Sequence, residues 1–162
     1  MVDRRGDRAP SAQVVGLYTA VRAGAPMQPR AWVEVVPGVG IGGDRYATRL
    51  GHWSDPRWPD QEVTLVESEV AEELAVDAGQ LRRNIVTRGV RLNDLIGLTF
   101  QLGGAQFVGV RRCDPCRYLD SLTRPGLGHA LREGGGLRAH IIQGGRIDVA
   151  DRIMMAPSSD RV

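Results

Sequence analysis

The run Arg111-Arg112-Cys113-Asp114-Pro115-Cys116-Arg117 places both cysteines of the chain inside a cluster of three arginines. Guanidinium groups stay protonated at any working pH, so both thiols sit in positive surroundings. Such surroundings favour the thiolate, the form that attacks sulfur or binds a metal. Pro115 adds a second cause at Cys116. Residues 117–122 read as a short helix, and proline is common where helices begin. Cys116 then lies near the positive end of a helix dipole. A reactive or metal-binding Cys116 is the leading candidate, set against the plainer reading of buried, inert packing.

The same pair spells Cys-x-x-Cys, which invites a thiol-redox reading. That motif belongs in a βαβ unit, and no alternation of long strands and helices surrounds it. Cys113, Cys116 and His129 begin a zinc-finger spacing, but His140 lies too far on for the usual His-x₃₋₅-His. The spacing argues against zinc.

Other segments offer groups for an anion or a heterocycle. Arg82-Arg83-Asn84-Ile85-Val86-Thr87-Arg88 combines guanidinium forks with an amide. Adjacent residues of a strand face opposite ways, so only one of Arg82 and Arg83 is expected to face a given pocket. Gly134-Gly135-Gly136-Leu137-Arg138 is a glycine-rich loop entering a strand, where bare backbone N–H groups can turn toward an anion. A solvated sheet edge and a flexible connector are the plainer readings of these two segments. Gly40 to Tyr46 reads as another tight turn at a site, though none of its side chains is singled out. His52 and His129 have no spaced partners.

Short strands are expected at 14–18, 31–35 and 63–66. A helix from about Ser68 to Ala78 puts Val70, Leu74 and Ala78 on one face and stops at Gly79. Gly103-Gly104 and Gly144-Gly145 each read as the two-residue turn of a β-hairpin. Many short strands with few helices predict a mainly β fold with minor α, a closed or partly closed barrel in a single domain. Residues 1–11 and 156–162 read as flexible tails.

Composition narrows the function. At 162 residues the chain can bury a core of its own. All 21 basic residues are arginine. Without lysine no internal aldimine with pyridoxal phosphate can form, so no covalent pyridoxal phosphate is expected. A lysine-dependent phosphate loop is excluded for the same reason. A net charge of +2 gives no nucleic-acid footprint. No apolar run is long enough to span a bilayer, and no signal peptide is evident, so a cytoplasmic protein with reduced cysteines is expected. Exposed strand edges leave a homodimer open.

Seven segments in order complete the reading: Gly-Gly-Asp-Arg-Tyr (42–46), Val-Thr-Leu-Val-Glu-Ser-Glu (63–69), Arg-Arg-Asn-Ile-Val-Thr-Arg-Gly-Val (82–90), Leu-Asn-Asp-Leu-Ile-Gly (92–97), Cys-Asp-Pro-Cys (113–116), Gly-Gly-Leu-Arg-Ala (135–139) and Gly-Gly-Arg-Ile (144–147). Together they resemble the MOSC domain, named for the C-terminal part of molybdenum cofactor sulfurases. The likeness covers roughly residues 14–155, and the expected domain is 12–155. Ala150-Asp151 departs from the family's Gly-Asp in its first residue.

The resemblance implies a MOSC-type β-barrel and a role in binding molybdenum cofactor (molybdopterin) or in sulfur transfer. It assigns the family's hallmark cysteine, carrier of sulfur or ligand of molybdenum, to Cys116. It makes Arg82, Arg83, Asn84, Arg88, Arg117, Gly135, Gly136 and Arg138 candidates for the cofactor pocket. The small bacterial members that the chain resembles include reductases of N-hydroxylated compounds. A molybdenum-dependent reductase acting on a small-molecule substrate is therefore the first functional expectation. A sulfur carrier served by a sulfur-donor protein and a cofactor-free interaction module are the alternatives.

Overall fold

A computed structural model describes residues 11–51, 54, 62–113 and 134–156. The expected tails lie outside these residues except for Ser11 and Ala156, and so does the helix expected at 117–122. Eleven strands are described: β1 (Gln13–Thr19), β2 (Gln28–Pro29), β3 (Trp32–Val36), β4 (Gly40–Ile41), β5 (Val63–Glu67), β6 (Ile85–Arg88), β7 (Thr99–Leu102), β8 (Ala105–Arg112), β9 (Leu137–Gln143), β10 (Gly145–Asp148) and β11 (Ile153–Met155). The α-helix among the described residues is α1 (Ser68–Glu73), and none there is long and apolar enough to cross a membrane. The fold is mainly β with minor α, as expected.

Eight strands form one sheet in the order β11-β7-β8-β9-β5-β6-β1-β2, and β10-β3-β4 form a second. Every pairing is antiparallel except β5 with β6, whose connection carries α1, because parallel neighbours need a crossover. Alternate residues of the strands point inward. Leu65, Ile85, Phe100, Phe107, Leu137 and Ala139 of the large sheet meet Val33, Val35, Ile41 and Ile147 of the small one in a single apolar cluster. Phe100 and Phe107 stack with ring centroids 5.7 Å apart.

Three expectations are corrected. First, the sheets do not close into a barrel. The large sheet curls until Gln13 meets Arg152 in one isolated bridge, with Val14 N donating to Asp151 O at 2.8 Å and Ile153 N to Ala12 O at 2.9 Å. Ala150 N donates to Val14 O at 2.8 Å, and Ala150 itself is left-handed, φ 80°, while β1 shifts register against β6 between Val14 and Gly16.

Second, the helix is shorter than its periodicity. It stops at Glu73, Ala75 turns left-handed at φ 53°, and Asp77 starts a separate 3₁₀ turn, Ala78–Leu81. The Asp77 carboxylate accepts from Gly79 N while the Gln80 side chain accepts from Asp77 N, a capping box that favours a fresh start.

Third, of the two glycine pairs only Gly103-Gly104 closes a hairpin, with Leu102 facing Ala105. Gly144-Gly145 instead passes the chain from one sheet to the other, since β9 pairs with β8 and β5 whereas β10 pairs with β3. The crossing is tight: a Cβ on Gly145 would lie 2.4 Å from Gly104 O, and one on Gly144 2.7 Å from Val35 O. Both glycines serve close backbone approach rather than a turn.

Gly136 combines both demands on glycine, with φ +109° and a hypothetical Cβ 1.9 Å from Leu65 O. Gly38 has φ +73° and nothing within 4 Å. Replacing Gly38 by alanine should cost about 1 kcal/mol, and the same change at Gly136 roughly 3 kcal/mol or more, up to failure to fold. Urea unfolding of the two variants measures this; equal losses would show that crowding against β5 is not what demands glycine at 136.

Candidate functional site

Arg82 and Arg83 diverge, but both precede β6, and the left-handed turn at Arg82 accompanies the divergence in place of strand alternation. Arg82 caps the 3₁₀ turn in the left-handed conformation, φ 57°, and its Nη1 donates to Ala25 O at 2.7 Å. Arg83 runs the other way into the interior. Its Nε donates to Gly135 O at 2.8 Å and its Nη2 to Cys113 O at 3.4 Å. Cys113 N in turn donates to Gly136 O at 2.8 Å. Cys113, a buried free thiol at the end of β8, is therefore held through both of its backbone groups. Arg83 and the glycine run are the clamp.

Arg138 is buried in β9, opposite Thr64 of β5 and Arg111 of β8. Tyr46 stands close enough to Arg138, Arg45 and Cys113 to feel their charge. Burial pushes its hydroxyl above the ordinary tyrosine value, against the pull of the two arginines, with Cys113 and Asp44 adding to the push. The hydroxyl is thus neutral across the neutral range. Arg45 Nη1 pairs with the fully buried Asp44 at 3.1 Å, its Nη2 donates to Arg82 O at 3.3 Å, and its guanidinium covers the Tyr46 ring at 4.6 Å. Ala20 N donates to Asp44 Oδ1 at 3.0 Å.

The remaining candidates separate from this group. Asn84 is fully buried, its Oδ1 accepting from Thr64 N and Oγ1 and its Nδ2 donating to Tyr18 O. Both ends of the amide are engaged in joining β1, β5 and the start of β6. Arg88 sits near the surface at the far end of β6, roughly 15 Å along the chain from Arg83, and pairs with Glu72 of α1. Cys116, Arg117, His52 and His129 lie outside the described residues. His140 Nδ1 is 3.7 Å from Glu62 Oε1. Among the described residues no three His, Cys, Asp or Glu side chains gather as a metal site.

Asp44, Arg45 and Tyr46 were not expected as site residues. Their signal was the Gly42-Gly43 step ahead of an acid, a base and an aromatic ring, which reads as a turn until the tertiary fold brings it against β9. Among the described residues Arg45, Arg83 and Arg138 are buried, with Asp44 paired to Arg45. Guanidinium groups gathered beside a cysteine-bearing strand end suit an anionic ligand.

The model of the MOSC domain family matches residues 58–154. Among solved structures, the YuaD protein from Bacillus subtilis superposes with a TM-score of 0.70 at 20% identity, over 88% of this chain and 94% of that one. YiiM from Geobacillus stearothermophilus gives 0.66 at 19% identity, over 90% and 75%. YiiM from Escherichia coli gives 0.60 at 17%, over 90% and 71%. At these identities the likeness is one of fold. None of the curated proteins compared matches the chain.

Two outcomes are expected. Arg83→Lys keeps the charge but cannot span both carbonyls, and should lose about 1.5–3 kcal/mol in urea unfolding; an unchanged midpoint would remove the clamp. In alkaline difference spectroscopy Tyr46→Phe should delete a component that ionises above 10.0. The folded chain holds that proton more tightly than the unfolded one, so this residue's contribution to stability falls as pH rises past the ordinary tyrosine value.

Proposed function

Because the chain belongs to the MOSC domain family, we propose that it binds molybdenum cofactor, the pterin molybdopterin with its metal, or a sulfur-carrying derivative of it. The observation that carries this reading is the gathering of buried guanidinium groups, Arg83 and Arg138 with Arg45 nearby, around the end of β8. The cofactor is an anion with a polar heterocycle, and the donor set fits it. Arg138 would hold a negative group, because a desolvated guanidinium attracts an anion far more strongly than an exposed one. Tyr46, neutral and half-buried, would give it a hydroxyl hydrogen bond. Arg83 would act at one remove, keeping the Cys113 backbone and the Gly135-Gly136 run in register. Cys116, three positions past the clamped Cys113 and flanked by Arg117, would supply the soft thiolate that suits molybdenum or sulfane sulfur.

When bound, the molybdenum centre would supply two-electron chemistry at an N–O bond, which makes N-hydroxylated compounds the substrate class of choice. Arg88, paired with Glu72 at the surface, is assigned no part in this site.

Molybdenum and pterin measured on protein from a host that makes the cofactor test the proposal. Near-stoichiometric molybdenum is expected, with a loss of about tenfold or more in Cys116→Ala, worth 1.4 kcal/mol per decade, and little change in Cys113→Ala. Molybdenum absent with persulfide on Cys116 would replace the cofactor enzyme by a sulfur carrier. Neither would leave an interaction module.

A further inference from the structure

Asp44 is the one fully buried carboxylate among the described residues, and the cofactor reading gives it no task. Three donors converge on it. Its Oδ1 accepts from Ala20 N at 3.0 Å and from Arg45 Nη1 at 3.1 Å, and its Oδ2 accepts from Tyr46 N at 3.4 Å. A carboxylate only accepts, so it serves donors on both oxygens, whereas an asparagine would turn an amide N–H toward one of them. Ala20 follows β1 directly. The loop that carries Tyr46 is thus anchored to the large sheet at this carboxylate.

Arg45 passes the anchor on. It is itself buried, donates to Met27 Sδ at 3.5 Å and to Arg82 O at 3.3 Å, and lays its guanidinium over the Tyr46 ring at 4.6 Å. A cation against an aromatic face attracts it, the more so away from water. Gly51 adds a further restraint. A Cβ there would fall 2.6 Å from Tyr46 Cε1 and 2.7 Å from Cδ1, closer than packed carbons come. The ring lies where it does because residue 51 has no side chain. What these contacts hold is the hydroxyl, near enough to Arg138 and Cys113 to feel both. A ring already fixed gives its hydrogen bond to an arriving anion without the entropy cost of being ordered first.

We propose that Asp44 is a positioning residue of the site beside Cys113, acting through Arg45 and the Tyr46 backbone to fix the Tyr46 hydroxyl where an anion binds. This role rests on the reading of that site as the cofactor's, while the fixed ring can be measured with no cofactor present.

The test combines NMR of ¹³C,¹⁵N-labelled protein with the molybdenum content of protein from a host that makes the cofactor. In the wild type the Tyr46 ring current should shift the Arg45 side-chain protons upfield. Tyr46→Phe keeps the ring and should keep that shift while moving the Cys113 amide resonance. Asp44→Asn should lose the Arg45 shift and move the Cys113 amide as well. Molybdenum retained should fall about threefold to tenfold in each variant, the scale of one hydrogen bond. The double variant should lose no more than Tyr46→Phe, because one residue acts through the other. A purely structural carboxylate would lower the urea midpoint and leave both resonances in place, and that result would overturn the role. So would unshifted Arg45 protons in the wild type, or losses that multiply in the double variant. Gly51→Ala reaches the ring with Asp44 untouched and should also move the Cys113 amide; an unmoved amide overturns the role. That variant and the wild-type shift decide the matter even where Asp44→Asn does not fold. Molybdenum absent from the wild type would count against the cofactor reading alone, and the resonances would still decide for or against Asp44.

Discussion

A buried guanidinium has to have its donors satisfied, and at Arg83 backbone carbonyls do so in a way that ties three parts of the molecule together. Its contacts to Gly135 O and Cys113 O join the approach to β6, the end of β8 and the loop into β9. Asn84, next along the chain, does the same for β1 and β5 through Tyr18 O and Thr64. Two consecutive residues thus cross-link five strands of one sheet by hydrogen bonds in the interior. Bonds to a charged donor are the stronger kind and the costlier to lose. The position of the cysteine-bearing strand end depends on them more than on the surrounding apolar packing, which tolerates change of shape more readily.

Around this polar seam the glycines decide how closely the backbones approach. Gly136 lets the loop pass over Leu65 O, and Gly144-Gly145 lets the chain slip between Val35 and the Gly103-Gly104 turn. The result is two sheets pressed against one core, with the large one curled nearly onto itself.

Much of this was legible in the residues. Alternation and turn chemistry marked β1, β3, β5, β7 and β8, and the Gly103-Gly104 hairpin followed from a two-residue glycine loop between β-rich runs. What failed did so for tertiary reasons. Gly144-Gly145 looks like Gly103-Gly104 locally, and only the sheet that each flank joins distinguishes them. The helical periodicity through Ala78 is real, but the capping box at Asp77 outbids it. Near-closure of the large sheet brings Gln13 to Arg152, a meeting of the two ends of the fold that no local pattern announces. At the site, Thr64 and Tyr18, the partners of Asn84, are distant from it in sequence. Asp44, Arg45 and Tyr46 were visible as a motif, yet the nearness of Tyr46 to Arg138 of β9 was not.

The crossing at Gly144-Gly145 also bears on how the molecule is made. Gly145 pairs with Val35, roughly 110 positions away, so the small sheet rests on contacts among the most distant in the chain, the kind that close late because loop entropy is paid first. Until β10 arrives, Val33, Val35 and Ile41 have only part of their cover, and one edge of β3 offers unpaired peptide groups to any passing strand. During synthesis that edge emerges more than a hundred residues ahead of its partner. The interval between the two, rather than the finished structure, is where this protein is most exposed to association with its own kind.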